Sequence, residues 1–140
     1  MAGTLHVDIV SPTGSIYKGE AVSVQAPGLE GSFAVLYNHA PMVATIAVGT
    51  LTVTDAKNVR IPFATSGGFL EVSANRVTIL AETAEMASKI DVDRARSAEQ
   101  RAQEVLDAAT SEEERALYAA ALERARNRLR VSMGHVGQHN

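Results

Sequence analysis

Ile90-Asp91-Val92-Asp93-Arg94-Ala95 divides the chain into two kinds of sequence. Before it lie all four prolines, at 12, 27, 41 and 62, and the glycines up to Gly68. After it there is no proline, glycine returns only at 134 and 137, and the arginines cluster. Proline and glycine punctuate strands and turns, whereas their absence over forty residues permits long helices. Asp91 stands where an acceptor can cap the first of those helices.

Working back from the junction, the first half alternates with period two. Leu5, Val7 and Ile9 alternate with His6 and Asp8, the pattern of a half-buried strand. Ser11-Pro12-Thr13-Gly14 is a turn, Ser15–Lys18 resumes extended chain, and Gly19 breaks it. Val22 and Val24 begin a further strand that Pro27-Gly28 ends. Ser32–Leu36, Met42–Val48, Thr50–Thr54 and Val59–Thr65 follow, the last marked as an edge or bulge by Pro62. Asp55-Ala56-Lys57-Asn58 reads as a hairpin turn, and Gly67-Gly68 as a turn or a close approach of backbones. Phe69–Ala74 and Arg76–Ala81 form a last hairpin with Val77, Ile79 and Ala81 on one face. Many short strands without a helical period predict a sandwich or flattened barrel.

Working forward, the period changes. Ala95, Ala98, Ala102, Val105 and Ala109 recur at three and four, one stripe of a helix. Ser111-Glu112-Glu113-Glu114 matches the capping box, in which the serine accepts from the N3 amide and the N3 glutamate reaches back. Tyr118, Leu122, Ala125, Leu129 and Ser132 or Met133 give a second stripe, and Gly134 is the expected stop. The short connection predicts an antiparallel helical hairpin. An alanine stripe removes little apolar area: a methyl contributes about 0.8 kcal/mol, against about 1.5–3 kcal/mol for a buried leucine. Two readings stay open: a hairpin that can leave its packing at modest cost, and one that is permanently docked.

The expected organisation is α+β: a β-sandwich over 1–86, a hinge at 87–90, a helical hairpin over 91–133 and a flexible tail at 134–140. With 140 residues and 46% hydrophobic composition, a packed core is within reach. A net charge of −3 does not suggest a nucleic-acid partner, and zero cysteines exclude disulfides, cysteine-rich metal sites and thiol nucleophiles. No apolar run approaches the roughly 20 residues of a membrane helix, and the N-terminus does not read as a signal peptide. The histidines at 6, 39, 135 and 139 lack ligand spacing, Gly67-Gly68 is followed by no GK[ST], and no serine sits in a nucleophile elbow. No catalytic constellation emerges.

The arginines are the remaining candidates. Arg124 and Arg128 are four apart and share a helix face, Arg126 lies about opposite, and Arg94 and Arg101 share a face of the first helix. Guanidinium forks suit phosphate oxygens, and like charges gathered together repel unless an anion sits among them. The competing reading is a solvated basic face balanced by Glu99, Glu104 and Glu123. From the residues alone that plainer reading is favoured.

Taken together and in order, several stretches are distinctive. They are Val7-Asp8-Ile9-Val10-Ser11-Pro12, Gly31-Ser32-Phe33-Ala34-Val35-Leu36 leading to His39-Ala40-Pro41, and Ser66-Gly67-Gly68-Phe69-Leu70-Glu71-Val72. Val77-Thr78-Ile79-Leu80-Ala81 and Asn127-Arg128-Leu129-Arg130-Val131 complete the set. From residue 4 to about 133 the chain resembles the epsilon subunit of the bacterial F-type ATP synthase. The resemblance implies a ten-stranded β-sandwich followed by a helical hairpin. It implies a non-catalytic subunit that needs no cofactor and sits on the cytoplasmic face of the bacterial inner membrane without inserting into it. The implied partners are the gamma subunit and the c ring, with Gly31, Ser32 and His39 at the rotor interface. The hairpin would extend along gamma to inhibit ATP hydrolysis, with Arg115, Arg124 and Arg126 facing the alpha and beta catalytic subunits.

In some members of that family the folded-down hairpin binds ATP as a regulatory ligand, through a motif of the form Ile/Leu-Asp-x-x-Arg-Ala. Ile90-Asp91-Val92-Asp93-Arg94-Ala95 matches it in full, so the resemblance assigns Ile90, Asp91, Arg94 and Ala95 to that site. By position it adds Glu85, Arg101, Arg124 and Arg128. On this basis the anion clamp overtakes the solvated face. The alternative is the same rotor subunit with a purely structural hairpin. Two departures stand out: Tyr37-Asn38 replaces the usual Pro-Gly before His-Ala-Pro, and Ser32 stands where an acid is common.

Overall fold

The computed structural model describes residues 3–137, with side chains described for residues 3–134. Nine strands and two helices follow one another: β1 Leu5–Ser11, β2 Gly14–Gly28, β3 Gly31–Leu36, β4 Met42–Ile46, β5 Gly49–Asp55, β6 Arg60–Thr65, β7 Gly68–Ser73, β8 Arg76–Ala81 and β9 Ala84–Met86 come first. A 3-10 turn, Ala87–Lys89, then precedes α1 Val92–Asp107 and α2 Glu112–Gly137. The chain divides between Met86 and Ala87 into two compact units.

The β unit is a sandwich in which β2 serves both layers. The first half of β2 pairs with β1, from Ser11↔Gly14 to Leu5↔Ala21. Its second half pairs with β3 and with β5, after a register shift between Ala21 and Ser23. Gly19 therefore does not break the strand as its type suggested. Two expected strands fuse into one of 15 residues that bends from layer to layer at the irregularity. This fusion is one reason that nine strands are found among the described residues where ten were implied. The pairing order is β1-β8-β7-β4-β2-β5-β6-β9, with β3 also on β2. β1 and β8 run parallel, Val7 beside Val77 and Ile9 beside Ile79.

The alternation of the sequence becomes the core. Leu5, Val7, Ile9, Val24, Val35, Leu51, Val53, Phe63, Leu70, Val77 and Ile79 are fully buried. Each large side chain of this set contributes about 1.5–3 kcal/mol by leaving water. Phe63 meets Tyr17 edge to face, ring centroids 5.7 Å apart, and burial, then the Asp55 carboxylate, push the Tyr17 phenol above its ordinary pKa. Pro62 pairs with Thr52 of β5 and lies just beyond the three-residue ladder to β9, so its missing N–H removes no bond from that edge. Gly67 and Gly68 take φ of 115° and 147°. A Cβ on Gly68 would strike the Leu80 carbonyl, so the close backbone approach is real.

In the helical unit, the inward stripe of α1 is Ala95, Ala98, Ala102 and Leu106, with Ala109 beyond its end. Leu106 takes the place expected of Val105, which is 45% exposed, because at 100° per residue the stripe drifts within two turns. On α2, Tyr118, Leu122, Ala125, Leu129 and Ser132 are wholly or partly buried, while Met133 is exposed. Gly134 does not stop α2, which continues to Gly137. The expected stop assumed that glycine must break a helix, yet glycine costs only about 1 kcal/mol relative to alanine there. The side chains of His135 and His139 lie outside the described residues, as do residues 138–140.

Candidate functional site in the helical hairpin

Asp91 begins the site by starting α1. Its backbone is extended, φ −78° and ψ 115°, and its carboxylate accepts from the Arg94 N–H at 3.1 Å. The Asp91 carbonyl accepts the first intrahelical bond, from Ala95 N–H at 2.9 Å. Behind it, Ile90 N–H bonds the Ala87 carbonyl at 3.2 Å, and the 3-10 turn packs against α2. Ile90 and Ala95 are both buried, Ala95 completely. The second cap is a capping box shifted by one residue. Ser111 Oγ accepts from Glu114 N–H at 3.1 Å, but Glu114 reaches back to the Thr110 N–H, at 3.2 Å, rather than to that of Ser111.

One hydrogen bond shows how the two helices are turned. The Arg126 guanidinium donates to Gln103 Oε1 at 3.0 Å, and Gln103 Nε2 donates on to Asp107 Oδ1 at 2.9 Å. Gln103 and Arg126 therefore lie on the same side of the hairpin. Two residues along a helix rotate the side chain by about 200°. Arg101, two before Gln103, and Arg124 and Arg128, two either side of Arg126, all turn to the opposite side. Arg94, seven residues before Arg101, falls on that side as well. Because the helices are antiparallel, Arg101 and Arg128 also stand at one level along the axis. The four arginines expected to form a clamp thus share one face of the hairpin.

Along α1 that face carries a depression of about 350 Å³ lined by Asp93, Arg94, Ser97 and Arg101, within the size range of small-molecule sites. Asp93 and Ser97 were not among the expected site residues; their i, i+4 spacing beside Arg94 and Arg101 was the available signal. Arg94, Arg101 and Arg124 are exposed and Arg128 is half-buried. Glu85 lies in β9, opposite Ala64 of β6. Arg115 is exposed in the first turns of α2, and Arg126 is held by Gln103.

In the β unit, Gly31 and Ser32 open β3 at the tip of the β2–β3 hairpin, where Gly31 takes φ 126° and both residues are exposed. A second depression, of about 480 Å³, runs from Gly28 to Phe33 and reaches Ala44 and Thr45. His39 is half-buried, and its Nδ1–H donates to the Ala40 carbonyl at 2.7 Å. Among the described residues no three metal-ligating groups converge, and His6 pairs with Glu20 instead.

The families described as ATP synthase, Delta/Epsilon chain, beta-sandwich domain and long alpha-helix domain match residues 4–87 and 88–133. The chain belongs to the ATP synthase delta/epsilon family. An ATP synthase epsilon chain of Salinibacter ruber is 55% identical over 98% of this chain and 97% of its own length. One from Halalkalibacterium halodurans is 44% identical over 92% and 97%. Among solved structures, a Euglena gracilis mitochondrial ATP synthase chain, from a complex of OSCP, F1 and c-ring, superposes with a TM-score of 0.77 at 22% identity, over 91% of this chain and 80% of that one. At that identity the likeness shows the fold.

As an epsilon subunit the chain has a further feature that the sequence reading passed over. On the outer side of the β1-β8-β7-β4 layer, Val10, Leu80 and Phe69 stand side by side through the pairs Val10↔Leu80 and Phe69↔Leu80. Phe69 and Leu80 are each 56% exposed, and Val43 on β4 is 72% exposed. Val10, Phe69 and Leu80, with Pro12, Gly68 and Ala81, line a shallow, mainly apolar depression of about 400 Å³. The signal was present in the alternation: Val77, Ile79 and Ala81 face inward, so Leu80 is an apolar residue at an outward position. No helix among the described residues is long and apolar enough to cross a membrane.

Proposed function

We propose that the chain works as the central-stalk epsilon subunit of a bacterial ATP synthase, on the cytoplasmic side of the inner membrane. Its β unit docks on the gamma subunit and the c ring. Its hairpin restrains ATP hydrolysis when extended towards the alpha and beta subunits, and binds ATP when folded. The observation that carries the ATP reading is the shared arginine face of the hairpin, turned opposite to the Gln103–Arg126 bond. Guanidinium groups that share a face can meet the oxygens of one polyanion together, each fork making two bonds at a time.

ATP that binds one hairpin state better than the other shifts the population by the ratio of its two affinities. The alanine stripe of α1 keeps the competing states close in energy, since it buries little area per residue. The row of exposed Phe69 and Leu80 beside half-buried Val10 supports docking of the β unit, because apolar side chains aligned across strands favour a partner over water.

Truncation after residue 88 in a reconstituted synthase tests the regulatory half of this reading. The truncated subunit is expected to assemble on gamma and to release ATP hydrolysis from inhibition. Unchanged hydrolysis with normal assembly would reject the inhibitory role and leave a rotor subunit with a structural hairpin.

A further inference from the structure

The turn between β7 and β8 is bonded to a second turn far away in sequence. Ala74 and Asn75 take φ of 51° and 62°, and Asn38, in the turn after β3, takes 66°. The Asn38 backbone N–H donates to Asn75 Oδ1 at 2.6 Å, and Asn75 Nδ2 donates to Asn38 Oδ1 at 3.1 Å. A backbone N–H can only donate, which fixes the oxygen end of the Asn75 amide and leaves its nitrogen facing Asn38. The Asn75 carbonyl also accepts from His6 N–H at 2.8 Å. One residue thus ties together the start of β1 and two turns.

The turn that Asn75 grips carries Tyr37 and His39. His39 N–H closes it onto the Leu36 carbonyl at 3.1 Å. Tyr37 is 47% exposed, and its ring lies so close to Gly3 that a Cβ there would collide with it. Non-glycine residues at positive φ are uncommon, and asparagine is the type that tolerates it best. Here two such asparagines answer one another, so the strained conformation of each supports the other.

We infer that Asn75 is a positioning residue, which holds the Tyr37–His39 tip in its docking conformation through a two-bond amide clamp on Asn38. The inference rests on the reading that this tip meets the rotor. A tip ordered in advance spares the complex the cost of ordering it on contact.

Asn75→Gly in the full chain tests this, because glycine keeps the left-handed backbone and the carbonyl bond to His6 while deleting the clamp. Exchange of the Asn38 amide is expected to accelerate roughly tenfold while that of Leu70 stays unchanged. Affinity for a gamma–c-ring subcomplex is expected to fall roughly fivefold, with slower association. Asn38→Gly keeps the backbone N–H that donates to Asn75 Oδ1 and loses only the acceptor of Asn75 Nδ2, so it should have a smaller effect in the same direction, and the double variant should bind no worse than Asn75→Gly alone. Asn75→Asp, which retains the acceptor for Asn38 N–H, should recover most of the protection. Unchanged Asn38 exchange, or faster exchange with unchanged association, would overturn the positioning role. A wild-type chain that fails to bind the subcomplex would instead overturn the rotor reading and this role with it, while the exchange measurement still decides whether the clamp exists.

Discussion

Arg101 and Arg128 stand at the same level of the hairpin, on the face opposite the Gln103–Arg126 hydrogen bond. That single bond makes the arrangement of the other arginines a matter of helix geometry rather than of side-chain choice. It also gives Arg126 a different part from Arg124 and Arg128. Arg126 joins the helices, and the other two lie on the side where Arg94 and Arg101 emerge.

The cap of α1 predicts a measurable loss. Asp91→Ala removes the acceptor of the Arg94 N–H and should destabilise the hairpin by about 1 kcal/mol. Asp91→Asn keeps an acceptor and should cost less than half of that. Hydrogen exchange at the amides of the first turn of α1 reads both, and equal protection in all three proteins would remove the cap from the account.

Gly68 predicts a larger one. Gly68→Ala places a Cβ against the Leu80 carbonyl at φ 147°. Backbone cannot yield as a flexible side chain does, so a loss of more than about 2 kcal/mol is expected. Urea titration of the β unit's unfolding checks it, and a midpoint within error of wild type would contradict the close approach.

Acidification should loosen the end of the sandwich where Thr4, His6 and Glu20 meet. Thr4 Oγ1 donates to Glu20 Oε2 at 2.7 Å, and His6 Nδ1 lies 3.3 Å from Oε1. These contacts, the threonine first, hold the Glu20 carboxyl below its ordinary pKa. A folded pKa below the unfolded one gives stability that is complete above the unfolded pKa and is lost as pH falls through the folded one. Thr4→Ala should raise the Glu20 pKa and flatten this acid dependence. Carboxyl titration by NMR measures the shift, and an unmoved Glu20 would refute the cause assigned.

The outward apolar row should matter to a partner and not to the fold. Phe69→Ser and Leu80→Ser change exposed side chains, so stability should move by no more than about 0.5 kcal/mol each. Binding to gamma should weaken by at least about tenfold for the pair. A double variant that binds as the wild type does would show that docking uses another surface.

The sandwich was legible because its core obeys a period of two: Leu5, Val7 and Ile9 could only bury together. What misled was local chemistry overruled by the sheet. Gly19 reads as a break, yet the ladder to Val7 carries β2 straight through it. β9 is three residues long, too short for any periodicity to announce it. In the hairpin, the arginine spacing was visible within each helix, but how the two helices turn towards one another was not. It shows only where Gln103 and Arg126, 23 residues apart, meet across the hairpin. The apolar face around Phe69 is hard to read from sequence because alternation marks the inward residues and leaves the outward ones, such as Leu80, unconstrained.

The most direct test of the regulatory site is calorimetric titration of ATP into the full-length chain and three variants. The account predicts saturable binding that Arg101→Ala and Arg128→Ala each weaken at least about tenfold, through loss of charge-assisted bonds to phosphate. Arg126→Ala, on the opposite face, should bind within about twofold of wild type, since its exposed bond to Gln103 adds little. No heat up to millimolar ATP, or a loss in Arg126→Ala equal to the others, would contradict the clamp.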